Sequence, residues 1–268
     1  MIAGVKLTHD AAVAGVQDGV LKFCVEAEKC NNRPRHDTFA SIKEALTFLP
    51  HKPSSVFIDG WKNGILPDHC GLRVAPYHEF DVVEGGQVDN SFTHFWGHAV
   101  GSYMMSPFAK REESATVLVW DGGSGPIIYN IKPGEWPKFV SRPFAYYAYL
   151  YGIMNFYAGP LFPKGWKREK GAKQFGERSW PGKIMSWIDH GKTKAADLAL
   201  ARRLWSECQI NRGKEIRQDG ENEHLLMKRI NEEFWFMSDR EMLSLVHDLI
   251  CDRLVHAVKG FKGNVIFT

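Results

Sequence analysis

The chain has 268 residues and a mass of 30.5 kDa, with 44% hydrophobic and 24% charged residues. That balance excludes wholesale disorder, and at about 150 residues per domain the length allows two lobes or one large α/β unit. A net charge of +3, from 34 basic and 31 acidic residues, is too small to imply a nucleic-acid or membrane partner by itself. The five cysteines (Cys24, Cys30, Cys70, Cys208 and Cys251) are scattered and form no CxxC pair, so neither a disulfide framework nor a zinc ribbon is expected. The opening MIAGVKLTHD lacks a basic segment followed by a long apolar run, so no secretory signal is read there. Residues 143–163 carry no charge and are long enough to span a bilayer. Their five tyrosines, Asn155 and the prolines at both ends read instead as a buried aromatic helix. The expectation is a reduced, soluble, cytoplasmic protein without a membrane segment.

In chain order, 2–8, 11–16 and 20–26 are β-rich runs, and Asp18-Gly19 is a hairpin-turn signal. A helix over 38–48 follows, with Thr38 as its N-cap. Short strands are expected at 56–59 and 72–76, then a helix over 91–105 closed by Pro107. A second cycle begins at Ala115. There, 116–120 reads as a buried strand ending in Asp121-Gly122-Gly123-Ser124-Gly125, and 126–131 as its partner. Helices are predicted over 144–158, 195–212, 221–234 and 239–258, and an apolar β-type run over 263–268. A strand with nothing after it reads as a fold that continues past these residues. The pattern predicts two α/β lobes, 1–114 and a partial, helix-rich 115–268, with ligands bound where they meet.

The sharpest constellation is His94-Phe95-Trp96-Gly97-His98. Positions i and i+4 share one helix face, so both imidazoles can reach one metal ion. The spacing alone also fits two exposed or capping histidines. Asp121 strengthens the metal reading, since a carboxylate at the carboxyl end of a buried strand sits where α/β proteins bind ligands. Two histidines and a carboxylate suit Fe(II), Zn or Mn. Gly122 and Gly123 either let backbone N–H groups approach a phosphate or serve a turn that needs positive φ. His9-Asp10, after the first strand, offers a general base titrating near neutral pH, or a plain turn. Residues 164–183 hold seven basic side chains against two acidic ones, with Trp166 and Trp180 among them. They read as a solvated loop or as a grip on phosphate or nucleic acid, so a nucleic-acid partner stays open.

These residues carry a resemblance. GVKLTHDAAVAGVQDGVLKFCVEAEKCNNRPRHD, THFWGHAVGSYMMSPF, VLVWDGGSG, GKIMSWIDHG and the terminal GNVIFT occur in the order seen in the NodU/CmcH-type O-carbamoyltransferases. The chain resembles the N-terminal region of that family over nearly its whole length. The resemblance implies an actin/Hsp70/sugar-kinase-like (ribonuclease H-like) two-lobed fold, shared with threonylcarbamoyladenosine-synthase proteins. It implies ATP, carbamoyl phosphate and a hydroxylated acceptor, with carbamoyl-adenylate as the activated donor. By motif position, His94, His98 and Asp121 fall on the metal ligands, commonly of iron, and His9 on the catalytic base with Asp10 beside it. Asp121, Gly122 and Gly123 fall on the phosphate loop, and Lys183 on a nucleotide-binding segment. Family members also carry the rest of the second lobe and a YrdC-like domain that makes carbamoyl-adenylate; no YrdC-like domain is expected within these residues, so a separate part would supply it. Two other readings compete: a non-catalytic ATP-binding module of the same fold, and a metal-dependent hydrolase, which the missing HExxH glutamate disfavours.

Overall fold

A computed structural model of the chain describes residues 1–7, 11–31, 39, 41–60, 90–121, 125–148, 150, 153, 188, 193–209 and 221–268. They divide into two compact units, Met1–Met105 with Glu135–Phe139, and Ser106–Gly134 with Val140–Thr268.

The first unit is built on a five-stranded sheet. Strands β1 (Ile2–Lys6), β2 (Ala12–Gln17) and β3 (Val20–Glu26) form an antiparallel meander, and β4 (Ser55–Gly60) and β5 (Asn90–Thr93) add in parallel on the other side of β1. The order is β3-β2-β1-β4-β5. The meander follows from its turn: Asp18 and Gly19 both take positive φ, at 52° and 72°, the twisted geometry a two-residue hairpin needs. Alternation then decides the buried face. Ala3, Val5, Val13, Val56 and Ile58 point into one core, covered by Phe39, Ile42, Ala45 and Leu49. Ile42 and Ala45 belong to α2 (Ile42–Leu46), which follows the short α1 (Ala27–Asn31). Ser41 caps α2 by accepting from the Glu44 N–H at 3.1 Å. The N-cap expected at Thr38 and the strand expected at 72–76 lie outside the described residues.

The second unit carries a sheet ordered β8-β7-β6-β9, with β6 (Ala115–Val119), β7 (Ile127–Ile131), β8 (Lys138–Ser141) and β9 (Asn264–Phe267). Here β7 is antiparallel to β6 and β9 parallel to it, so β6, β7 and β9 stand to one another as β1, β2 and β4 do in the first sheet. Two sheets in which the central strand has an antiparallel neighbour on one side and a parallel one on the other follow the α/β, actin-like, ribonuclease H-like plan that was expected. All five residues of β6 are buried, as suits a central strand flanked on both sides. Between β8 and β9 lie helices α5 (Ala195–Glu207), α6 (Glu221–Glu233) and α7 (Asp239–Val258). Leu204 and Trp205 of α5, Leu226, Met227 and Ile230 of α6, and Leu243, Val246, Leu249 and Ile250 of α7 form one core. Ser238 and Glu241 cap α7 reciprocally, satisfying N–H groups that have no partner within the helix. The helix expected over 144–158 does not begin at Phe144: residues 144–148 have no regular structure, and most of the remaining span lies outside the described residues. Among the described residues no helix is long and apolar enough to cross a membrane.

Candidate metal centre

The histidine pair is a product of one helical turn. Residues 91–105, read from sequence as helix throughout, begin as β5, because Asn90–Thr93 pair in parallel with Phe57–Gly60. Helix α3 (His94–Met104) starts only where that pairing ends, which places His94 at its first position. His94 is buried and His98 half-buried. Their Nε2 atoms are 3.0 Å apart and their rings stand nearly perpendicular, at 87°. Two imidazole nitrogens bound to one metal at about 2.0–2.1 Å, with an angle of about 90–110° between the bonds, sit about 2.9–3.4 Å apart. The observed separation therefore fits shared coordination. It also fits one N–H···N hydrogen bond in a neutral pair, so a metal and a proton compete for the same gap.

Two neighbours hold this turn. At Gly97, between the histidines, an added Cβ would stand 3.0 Å from Cε2 of Phe92, so the missing side chain is what lets the ring of β5 lie against the helix. Trp96 is buried and stacks on Trp136, with ring centroids 5.1 Å apart. Gly101, one turn on, faces open space.

Asp121 belongs to the second unit and is placed by different means. It follows β6 after Trp120, whose backbone N–H donates to the Thr268 carbonyl at 2.8 Å, while the Thr268 N–H donates to Leu118 at 2.9 Å. Trp120, Asp121 and Gly125 rest on a strap, residues 144–148. The Ala148 N–H donates to the Asp121 carbonyl at 3.2 Å, and the Trp120 indole Nε1–H donates to the Tyr146 carbonyl at 2.8 Å. At the loop's far end a Cβ on Gly125 would come within 2.7 Å of the Phe144 carbonyl oxygen, so that approach is open only to glycine. The carboxylate thus leaves the carboxyl end of a central strand, as the sequence pattern predicts.

His9, Asp10, Gly122, Gly123 and Lys183, and with them the basic stretch 164–183, lie outside the described residues. Sequence reasoning missed Glu223 of α6, which is 2% exposed and accepts a hydrogen bond from the Tyr147 N–H. A glutamate in the polar-looking ENEHLL offers no signal of burial.

A family model for the carbamoyltransferase N-terminus matches residues 82–261, well over half of the chain and including both histidines and Asp121. The chain belongs to that family. It is similar to nodulation protein U of Rhizobium tropici, with 30% identity over 240 residues covering 77% of this chain and 39% of that protein. It is similar also to nodulation protein U of Bradyrhizobium diazoefficiens, with 28% identity over 255 residues covering 82% and 42%. A 3'-hydroxymethylcephem-O-carbamoyltransferase of Amycolatopsis lactamdurans matches at 29% over 178 residues, covering 61% and 32%. The chain therefore spans about two-fifths of the length of the nodulation proteins it matches. Among solved structures, the Aquifex aeolicus member of the Ppx/GppA family is similar at a TM-score of 0.37 and 10% identity, covering 99% of this chain and 93% of that one. The architecture rests on the strand order and register above, and not on a likeness of that size.

Proposed function

We propose that the chain is the acceptor-side, N-terminal part of an O-carbamoyltransferase, acting on carbamoyl-adenylate made from carbamoyl phosphate and ATP. The observation that carries the reading is the His94–His98 gap of 3.0 Å on α3, inside the segment the family model matches. His94, His98 and Asp121 hold one metal ion, Fe(II) or else Zn or Mn. When bound, that ion supplies Lewis acidity at the carbamoyl carbonyl.

The chain's own groups do the rest. The neutral imidazole of His9, with Asp10 beside it, takes the proton of the acceptor hydroxyl as its oxygen attacks the carbamoyl carbon. The new C–O bond forms there, the bond from that carbon to the adenylate phosphate oxygen breaks, and AMP leaves. Backbone N–H groups at Gly122 and Gly123 and the ammonium of Lys183 hold the nucleotide phosphates. Residues 1–114 form the first lobe and 115–268 a partial, helix-rich second lobe. A YrdC-like part, separate from these residues, furnishes the carbamoyl-adenylate, and the cytoplasm, where ATP is available, is the compartment for the reaction.

The test is metal analysis of protein purified anaerobically from iron-supplemented cells and reconstituted with Fe(II), for the parent and for His94→Ala, His98→Ala and Asp121→Ala. The expected result is one metal per chain in the parent and a loss in each variant. A metal-free parent, or equal metal content in all four, overturns the assignment.

A further inference from the structure

We infer that Glu223 is a positioning residue for the Asp121 carboxylate, acting through the strap of residues 144–148. The inference rests on the reading of Asp121 as a metal ligand.

A carboxylate at 2% exposure is costly unless its oxygens are hydrogen-bonded, because burial strips away its water. Glu223 accepts from a backbone N–H, that of Tyr147. The strap it grips has little regular structure of its own. Tyr146 is fully buried and its hydroxyl donates to the Trp205 carbonyl of α5 at 2.7 Å. Burial, with the nearby Cys208 and Glu223, pushes that phenol's pKa far up, so it stays a donor. The helices α5 and α6 thus pin the strap from behind, at Tyr146 and Tyr147.

The same strap also grips Trp120, Asp121 and Gly125 after β6. The Tyr146 carbonyl receives the Trp120 indole N–H, Ala148 donates to Asp121, and Phe144 packs its carbonyl against Gly125. The two residues that flank the start of the loop and the glycine that ends it all rest on five strap residues. Glu223 is the buried anchor in this chain of contacts: α6 to Tyr147, then Tyr146 and Ala148 to Trp120 and Asp121. Loss of that anchor frees the strap, and with it the backbone that aims the Asp121 carboxylate. Residues that orient a ligand in this indirect way typically change metal affinity by about 10–100-fold when removed.

The experiment uses Co(II) as the probe, titrated anaerobically into metal-free protein, with its ligand-field bands reporting ligand number and geometry. Glu223→Ala is expected to weaken Co(II) binding by about 10-fold or more and to change the bands. Glu223→Gln is expected to keep both close to the parent, because its amide oxygen still accepts from Tyr147. If Glu223→Ala does not fold, Trp120→Phe decides: it removes the indole donor to Tyr146 and trims the ring that packs edge-on against Phe144, both contacts with the strap, and it is expected to weaken Co(II) binding several-fold. Parent-like affinity and bands in Glu223→Ala, or in Trp120→Phe where that variant decides, overturn the inference. Asp121→Ala runs alongside: if it binds Co(II) like the parent, the ligand reading itself falls and this inference with it. If Asp121→Ala is weakened while Glu223→Ala is unchanged, only the role of Glu223 falls.

Discussion

The two sheets share a strand order and differ in how they are covered, and the two kinds of candidate ligand follow that difference. In the first unit the described helices that pack on the sheet core are short, and the core is made largely by alternating strand residues such as Val5, Val13 and Ile58. Its candidate ligands, His94 and His98, are set by a single turn of α3, four residues apart. In the second unit a three-helix core dominates, and its candidate ligand, Asp121, is held by distant residues: Ala148 bonds to it directly and Thr268 bonds to Trp120 just before it. Local periodicity places one half of the proposed site; long-range hydrogen bonds place the other. A disturbance of the helical core should therefore reach Asp121 and leave the histidine pair in place.

The strongest way to sharpen that contrast is Trp205→Ala. The indole is 2% exposed, packs on Phe144 and Tyr146 with ring centroids 5.1 and 4.2 Å away, and lies in the centre of the helical core. The expected cost is about 3–5 kcal/mol in denaturant unfolding, with the imidazole signals of His94 and His98 in NMR spectra unmoved under native conditions. Movement of those signals together with the loss of stability would break the comparison.

Next in size is Gly125→Ala. The new Cβ would meet backbone, the Phe144 carbonyl at 2.7 Å, so loop and strap must separate at about 1–3 kcal/mol. Thermal unfolding measures the cost. The matching change in the first unit, Gly101→Ala in the open on α3, should stabilise by up to about 1 kcal/mol because alanine is the better helix former. A destabilised Gly101→Ala would mean that α3 is less self-contained than its geometry indicates.

The smallest effect tests how α5 and α7 are tied. Burial raises the Asp252 carboxyl, but hydrogen bonds and charge from Arg202 and Arg253 outweigh it and hold its pKa below the usual carboxylate value. A group whose pKa is lowered on folding stabilises the protein above the unfolded-state pKa, and that contribution is lost as pH falls through the folded-state value. Because Arg202 is 42% exposed, the effect should be under about 1 kcal/mol. Asp252→Asn should flatten the fall in stability between neutral pH and the acid range; an unchanged acid limb in urea titrations would show that the pair contributes nothing.

Much of the fold and of the candidate site is legible in the amino-acid sequence. The Asp18-Gly19 hairpin, the boundaries of α7 and the buried strand before Asp121 follow from local chemistry: a turn that needs positive φ, an amphipathic stretch opened by a capping serine, an apolar run closed by glycines. The His94–His98 pair is legible for the same reason, since helical spacing is a property of four consecutive peptide units. Strand β5 is not. Asn90–Thr93 has no strong strand signature of its own and becomes a strand because β4 offers it a parallel edge. The first turn of α2 is capped by Ser41, three residues after the Thr38 that the sequence suggested.

The amino-acid sequence by itself determined the periodicities and turns, and so many of the described elements, the histidine spacing, the carboxylate at the end of a central strand and the family. Only the tertiary structure decided that the second sheet repeats the strand order of the first, that His94 opens its helix rather than lying within it, and that Glu223 is buried against Tyr147. The physical reason is range. Helical spacing and turn geometry are settled within a few residues, whereas the strap that holds Asp121 gains its order from partners 26 to 76 positions away, and a short glutamate-rich segment carries no mark of which carboxylate will be drawn inside.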